Sequence, residues 1–463
     1  MKKWVLAILG VDDALFHALL ARVWQACSGA ITLFLILRVM PPMQQGFYYT
    51  FNSVLNLQVF FELGLSFVIL QSTTHYFSDL QWSSQGDVIG NDIHVQKWFS
   101  FLRKSAIAYF MAAMCFAGLL IPVGLHFFAL RSVDAMGFTW RAPWVFLVLG
   151  TALNLCLTPF LAALEGSGKV AEIYRFRWKQ LMLANVTAWM VLFLGYGLLM
   201  VAVGIWVNAV LTTLWLFKTH KKFVSCVIKR SKNKPSFVWS KEIWPMQWRI
   251  AVSWMSGYFI SQAFTPLLFY YQGAIVSGQM GICLSLLNLL SLFGLTWINV
   301  RSPKMGQMVA RRDWAALNQL FTRVFWQSAV AFVIVSGCLL GAVCLVSHSP
   351  IANRFLPMRQ IVMLLMSTFF THMIGSLSLY LRAHRTDPFV FFSVIGALLL
   401  AVSSWYGAYH YGSFGVCCSM LIVNGLYGFP SSVWLWQRCK RRWHTVEEKA
   451  YEIEAYHRYP NVE

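Results

Sequence analysis

The feature that most constrains this chain is a series of apolar runs, each about 18 residues or longer, along its whole length. At a helical rise of 1.5 Å per residue, about 20 apolar residues cross the roughly 30 Å hydrocarbon core of a bilayer. Only 12% of the residues are charged, whereas soluble domains carry about 25%. The chain therefore needs lipid as its solvent, and no separate soluble domain fits between the runs.

The apolar runs predict an all-α polytopic membrane protein with about twelve transmembrane helices. Each run has the length of one membrane crossing. The predicted helices span residues 17–37, 47–70, 104–129, 143–164, 176–196, 198–217, 247–270, 279–300, 324–347, 359–381, 389–408 and 413–436.

The distribution of basic residues predicts the topology. An even number of helices places both termini on one side of the membrane. If that side is the cytoplasm, thirty of the 37 Lys and Arg residues fall in inner segments and five in outer ones. Cytoplasmic loops carry such an excess. We therefore expect a multi-pass protein of the bacterial inner membrane with cytoplasmic termini. The net charge of +20 then reflects topology and not a nucleic-acid partner.

The chain also divides into two related halves of six helices. The turn at Gly46, before the second predicted helix, resembles the turn at Gly281, before the eighth. Two six-helix repeats are a common transporter plan, with substrate handled between them. The predicted domains are a first six-helix bundle at 1–217, a basic cytoplasmic linker at 218–246, a second bundle at 247–437 and a cytoplasmic tail at 438–463.

Short motifs near the start of the chain carry a family resemblance. Segment 36–41 has an arginine and a proline turn, 46–49 has a glycine followed by aromatics, and 61–66 has an acidic residue followed by Leu-Gly-Leu. The exit from the tenth helix, at 381–388, adds Leu-Arg-Ala and a later proline. This order resembles the polysaccharide and O-antigen flippases of the multidrug/oligosaccharidyl-lipid/polysaccharide (MOP) exporter superfamily.

The resemblance implies a V-shaped transporter that opens alternately to either face of the membrane. It also implies a cargo, either an oligosaccharide linked to undecaprenyl diphosphate or a related polyanionic lipid, moved from the inner to the outer leaflet during O-antigen, lipopolysaccharide or exopolysaccharide synthesis. A polysaccharide polymerase or synthesis complex is then a candidate partner besides the bilayer. No cofactor is expected.

Two arginines fall within apolar helices, where a charge costs at least about 2.5–3.5 kcal/mol unless it faces a cavity or snorkels to the interface. Arg22 lies one to two turns into the first helix, and Arg249 opens the seventh, its counterpart in the second half. A guanidinium pairs bidentately with phosphate. The two residues are therefore candidates for an anion-binding cavity, and snorkelling to the cytoplasmic interface is the alternative for both.

Glu62 is the carboxylate that falls well inside an apolar run. One interpretation is a proton or cation coupling site. The other is a polar contact that fixes the second helix against a neighbour, with Arg22 as one possible partner.

Four residues of the seventh helix, Gln247, Trp254, Tyr258 and Gln262, recur at spacings of 7, 4 and 4 and so share one face. Aromatic rings and amides suit a sugar, through stacking and hydrogen bonds. A polar seam between two helices has the same pattern and stays the alternative.

No catalytic or metal-binding constellation is visible in the sequence. The ten cysteines form no CxxC pair, and no phosphate-binding loop of an ATPase occurs. The outer loops are short, which disfavours a membrane-embedded glycan polymerase or transferase. The prediction is thus a transporter and not an enzyme. A multidrug or cation antiporter of the same superfamily stays an alternative, as does a scaffold for a synthesis complex.

Overall fold

The computed structural model describes residues 13–83, 86–131, 138–229, 239, 243–346, 349–384 and 388–458. These residues are almost all helical, with one antiparallel hairpin of β1 (Leu80–Trp82) and β2 (Val88–Gly90). The chain divides into two compact units, Met1–Gly278 and Gln279–Glu463. Much of the predicted linker and the end of the predicted tail lie outside the described residues.

The helices follow the predicted order, and most predicted boundaries lie close to the observed ones. Through the first half of the chain they are α1 (Asp13–Val39), α2 (Pro42–Leu55), α3 (Val59–Glu62), α4 (Leu65–Tyr76), α5 (Asp92–Ala129), α6 (Arg141–Gly166), α7 (Val170–Phe193), α8 (Leu199–Thr219) and α9 (Lys221–Ile228). The later helices are α10 (Trp244–Ser261), α11 (Phe264–Gln272), α12 (Ala274–Ala310), α13 (Trp314–Val346), α14 (Met358–Ala383), α15 (Val390–Ile422) and α16 (Phe429–Arg458).

These helices account for the predicted membrane spans. Eight helical stretches among the described residues are long and apolar enough to cross a bilayer, and the bent run from Pro42 to Tyr76 makes nine. The longest stretch, Val390–Trp443, contains two predicted helices separated at Gly412, where the backbone is non-helical. Adding α7 and the α10–α11 run gives the predicted twelve. The protein is an all-α polytopic membrane protein.

Several segments outside the predicted spans are also helical. The third helix begins at Asp92, twelve residues before its predicted start, because the Asn91 side chain caps it by accepting from the Ile93 N–H at 3.0 Å. The linker opens with α9, whose Phe223, Val224 and Val227 are buried. At the other end of the chain, α16 continues as a helix to Arg458, well into the predicted tail.

Each unit has its own apolar core. In Met1–Gly278 the centre is a cluster of large aromatics on α2, α5 and α6, among them Phe51, Phe128 and Trp144, whose ring centroids lie 4.7–5.1 Å apart. In Gln279–Glu463 one cluster joins Phe321 and Tyr380, with ring centroids 4.6 Å apart. Edge-to-face and tilted aromatic pairs of this kind contribute packing beyond their buried area.

Candidate functional site

The second predicted helix is broken inside the membrane segment, and the break defines the candidate site. A short 3-10 turn at Asn56–Gln58 separates α2 from α3, and α3 ends at Glu62. Leu63 and Gly64 then adopt left-handed backbone angles, with φ of 49° and 66°. The helices on the two sides are bent by 47°. Broken helices at membrane depth are tolerated where they are buried in protein or line a water-filled cavity.

Glu62 lies at this break and is partly exposed. The Tyr109 hydroxyl of α5 donates a hydrogen bond of 2.9 Å to the Glu62 Oε1 atom. Tyr109 itself is buried. The donor therefore holds the carboxylate in place on one side and leaves its other face open. Arg22 is not its partner among the described residues.

The four residues of the seventh predicted helix have different environments. Gln247 is buried and accepts a hydrogen bond of 3.2 Å from the Trp239 Nε1–H. Tyr258 is also buried, with the Phe60 ring of α3 edge-on at 5.6 Å. Trp254 is 37% exposed, and Gln262 is partly exposed at the end of α10. Tyr258 thus packs in a helix–helix seam, Gln247 is bound by Trp239 from the segment before the helix, and Trp254 and Gln262 are accessible.

The α10 helix packs directly against the broken segment. The Asn56 side-chain amide donates to the Gln262 Oε1 atom at 3.2 Å, and to the Asn52 carbonyl at 2.9 Å. The Ile250 side chain lies against Gly64, so closely that a Cβ atom there would overlap it. The broken segment therefore carries two polar pairs, Glu62 with Tyr109 and Asn56 with Gln262, and we call these four residues the helix-break site.

The sequence pattern did not single out two members of this site. Tyr109 lies in an apolar run of α5, 47 positions after Glu62. Asn56 lies six residues before Glu62. A polar spacing pattern finds residues on one helix, and this pair comes from the packing of separate helices. Their only sequence signal is a polar group within a membrane segment.

Arg22 and Arg249 both lie in the unit Met1–Gly278, and both side chains are exposed on the surface of the protein. The Arg249 guanidinium lies 5.7 Å from the centroid of the Trp248 ring, which is itself 46% exposed. Within the described residues neither arginine forms an ion pair. The structure does not bring them into contact, so both guanidiniums keep their hydrogen-bond donors available.

A second charged cluster lies where α6 ends, α7 begins and α8 ends. The His220 Nε2 atom lies 3.1 Å from the Glu172 carboxylate, and Lys169 Nζ lies 3.4 Å from it on the other side. Burial lowers the pKa of His220, and the Glu172 charge acts in the opposite direction. The Trp215 ring packs edge-on against the imidazole at 4.9 Å. The charged groups of this cluster pair with one another, so we interpret the cluster as a structural contact between α7 and the end of α8.

The helix-break site suits recognition of a polar cargo better than catalysis. It offers one carboxylate, two side-chain amides and a phenol, with no nucleophile activated by a neighbouring base. Among the residues that the structure describes, no group of three His, Cys, Asp or Glu side chains has the geometry of a metal site.

Comparisons with known proteins identify the fold. No family model matches the chain, and no curated protein matches it. Among solved structures it is similar to a multidrug resistance MATE family transporter of the MOP superfamily in its inward-facing conformation. That likeness has a TM-score of 0.56 and 13% identity, and it covers 91% of this chain and 99% of the other.

The chain is equally similar to the lipid II flippase MurJ in an inward closed conformation. That TM-score is also 0.56, with 12% identity over 91% of this chain and 87% of MurJ. The eukaryotic MATE transporter AtDTX14 follows with a TM-score of 0.50 and 15% identity over 93% and 99% of the two chains. The chain therefore has the fold of MOP superfamily transporters.

Proposed function

We propose that this protein is a flippase that moves a lipid-diphosphate-linked oligosaccharide from the inner to the outer leaflet by alternating access. The fold supports a transporter of this superfamily but does not choose the cargo. One neighbour is a multidrug transporter and another is a lipid II flippase, and their TM-scores are equal. The choice must come from the chemistry of the side chains.

The observation that carries the proposal is the balance of charges within the membrane helices. Arg22 and Arg249 are exposed, and within the described residues neither has an ion-pair partner. Glu62 is held by the Tyr109 hydroxyl. Two available guanidiniums against one hydrogen-bonded carboxylate favour an anionic cargo. A cation antiporter needs the opposite balance.

The parts of the cargo then match separate parts of the protein. A diphosphate carries at least two negative charges, and guanidinium–phosphate pairs are strong and directional. Amide groups of Asn56 and Gln262, together with the accessible ring of Trp254, suit sugar hydroxyls and sugar faces. The prenyl chain needs no protein site, because it can stay in the hydrocarbon of the bilayer throughout. In the first predicted six-helix bundle, Glu62 is the candidate residue for coupling transport to an ion.

Flipping of a labelled lipid in proteoliposomes tests the proposal. The probe is a polyprenyl-diphosphate disaccharide with a dithionite-sensitive fluorophore on its sugar. Purified protein should raise the fraction of probe that dithionite reaches, and Arg22→Ala with Arg249→Ala should abolish that gain. Arg→Lys variants should keep a partial rate, because they keep the charge and lose the bidentate fork. Arg311→Ala, an exposed arginine just beyond α12, is the matched control.

The same vesicles separate this function from its rivals. Movement of labelled phosphatidylcholine measures nonspecific scrambling and should stay at the level of empty vesicles. Efflux of ethidium that is driven by an ion gradient, without movement of the diphosphate probe, would identify a multidrug antiporter. Incorporation of radiolabelled sugar into lipid would identify a transferase. Full activity of the double arginine variant at normal protein level would reduce both residues to interfacial snorkellers.

We also propose that both termini and the segment 218–246 face the cytoplasm in the bacterial inner membrane. The support is the thirty-to-five asymmetry of basic residues across the predicted loops. Reporter fusions at Lys232 and at the C-terminus should both give cytoplasmic signals. A periplasmic signal at either position would overturn the topology.

A further inference from the structure

A buried histidine in the second unit has an unexplained polar atom. His372 lies near the middle of the 26-residue helix α14, and its side chain is 2% exposed. Its Nδ1 atom is fully enclosed and has no hydrogen-bond partner among the residues that the structure describes. Nearly all buried polar atoms in native proteins are paired, so each exception needs an explanation. An ionisable group at this depth is expensive and is commonly functional.

The hydrogen bonds around the ring define its tautomer. The Ser328 hydroxyl donates to the Gly294 carbonyl at 2.7 Å, and the same oxygen lies 2.8 Å from the His372 Nε2 atom. A serine hydroxyl has a single proton, so with that proton on the Gly294 carbonyl we assign Nε2 as the donor to the Ser328 oxygen. The network therefore assigns a neutral imidazole with its proton on Nε2 and a free lone pair on Nδ1.

The pocket is shaped for the imidazole ring. The Phe332 ring stacks on it, with centroids 5.0 Å apart and planes at 22°. On the α12 side, a Cβ atom added at Gly294 would lie 2.8 Å from the His372 Cε1 atom, so only glycine fits there. Packing thus holds the ring in one orientation, with Nδ1 buried beside Gly294.

Among the described residues, no carboxylate compensates a protonated ring in this conformation. Gly425 and Gly428 lie in the π-helical segment Val423–Gly428 between α15 and α16, and their contacts with Phe370 and Ile374 set the level of that segment beside α14. Seven residues span about 10 Å along an α-helix, so we consider the residues of each neighbouring helix that lie within seven positions of its contact with the His372 region. Within that range the charged or titratable residues of the packed helices are Arg301, Arg323, Cys338, Cys418 and Tyr427.

None of these five side chains is an acceptor for Nδ1. Arg301 donates to the Trp297 carbonyl, and Tyr427 donates to the Phe392 carbonyl. Among the described residues none of the five contacts His372, and none is a carboxylate. A proton on Nδ1 would therefore create a buried cation with an unsatisfied N–H, which is costly in hydrocarbon.

We propose that His372 is a proton-binding site that couples conformational change to proton movement, and this rests on the proposed transport function. A proton from water binds the Nδ1 lone pair and converts the neutral imidazole to imidazolium. Because Nδ1–H has no acceptor in the described conformation, protonation favours a conformation in which that N–H reaches water or an acceptor. Ser328 is the positioning residue, because it fixes the proton of the neutral ring on Nε2. The site works by population shift.

The first test needs no cargo. Protein labelled with ¹⁵N-histidine is reconstituted in liposomes, and solid-state NMR spectra of wild type and His372→Gln are compared to assign one signal. That signal should report a neutral ring protonated on Nε2 at pH 8 and a doubly protonated ring in acid. Ser328→Ala should allow the Nδ1–H tautomer. A ring that stays neutral at every pH at which the protein is folded would overturn the proposal, as would an Nδ1–H tautomer in the wild type.

The second test measures coupling. Flipping of the diphosphate probe is followed with and without an imposed pH gradient at zero membrane potential. Wild type should respond to the gradient, and His372→Gln should lose that response, because glutamine can donate to Ser328 but cannot bind a proton at neutral pH. His410→Gln, at an exposed histidine of the same unit, is the matched control and should respond as wild type. Thermal unfolding must show that all three proteins are folded.

The outcomes separate this proposal from the proposed function. A full gradient response in His372→Gln would overturn the proton site and leave the flippase intact. A wild type that flips the probe with no gradient response would do the same. If the wild type moves no probe at all, the flippase proposal fails. The proton site then depends on the NMR result, where a signal that titrates supports it and one that does not titrate overturns it.

Discussion

The second predicted helix and its counterpart in the predicted repeat, the eighth, have become different structures. The second is interrupted twice, at Asn56–Gln58 and at Leu63–Gly64, and it bends by 47°. The eighth is the continuous 37-residue helix α12. The sequence predicted a turn at Gly46 and at Gly281, but Gly46 lies within α2 and Gly281 lies within α12.

The local sequence explains the difference. An offset of 235 positions, from Gly46 to Gly281, places Ile298 opposite Leu63 and Asn299 opposite Gly64. Left-handed backbone is open to glycine and tolerated by asparagine, but it is strongly disfavoured for a β-branched residue such as isoleucine. The second half therefore resists a break at the first of the two positions. Its candidate ionisable site, His372, lies instead within an unbroken helix.

The largest effect is expected for Gly46→Ala, at the start of the broken helix. Its Cβ would overlap the Ala274 carbonyl, and backbone yields less than a flexible side chain. We expect a loss of about 3 kcal/mol, at the upper end of overpacking costs. Unfolding midpoints from tryptophan fluorescence in detergent measure it. Gly118→Ala, in open space on α5, is the control and should be neutral or slightly stabilising. Equal midpoints for the two variants would contradict the close approach of α2 to Ala274.

Gly64→Ala tests the break itself. The left-handed conformation costs a residue with a Cβ about 1–2 kcal/mol, and the overlap with the Ile250 side chain adds to it. In an Ile250→Ala background the overlap term should vanish and the backbone term should remain. A double-mutant cycle on unfolding free energies separates the two. If the substitution were silent in both backgrounds, the left-handed break would not be required.

Glu62→Gln tests whether the break has a function. Glutamine keeps an oxygen that accepts from Tyr109, so the fold should persist while the charge is lost. We expect loss of ion-driven export, measured by probe flipping under an ion gradient, at normal protein level. Tyr109→Phe is the contrast, because it removes the hydrogen bond, keeps the charge and costs about 1 kcal/mol of stability. Unchanged export in Glu62→Gln would make Glu62 a structural contact.

The smallest effect is expected for Asn299→Gly on α12, which places a glycine opposite Gly64. Asn299 is exposed, and asparagine is already a weak helix former, so the change costs only about 0.3 kcal/mol. The helix should stay straight, because Ile298 still resists the left-handed conformation. Spin labels at positions 292 and 304, about 18 Å apart on a straight helix, measure the bend. A shortened distance would show that glycine by itself decides the difference between the two helices.

The sequence was sufficient to predict the class of protein and most helix boundaries. The fourth helix, predicted at 143–164, is observed at Arg141–Gly166, and the sixth, predicted at 198–217, at Leu199–Thr219. These predictions succeed because the hydrocarbon thickness and the helical rise fix the length of a span, and both act on consecutive residues. Glu62 was also visible, because a single carboxylate in an apolar run is conspicuous wherever the helix packs.

Only the tertiary structure decided what surrounds these residues. The bond from Tyr109 to Glu62, the contact of Asn56 with Gln262, and the enclosure of His372 by Ser328 and Phe332 each join separate helices. Every helix in a bilayer is apolar on most faces, so hydropathy cannot choose which faces meet. That choice depends on shape and on hydrogen bonds between distant positions, which a local pattern does not contain.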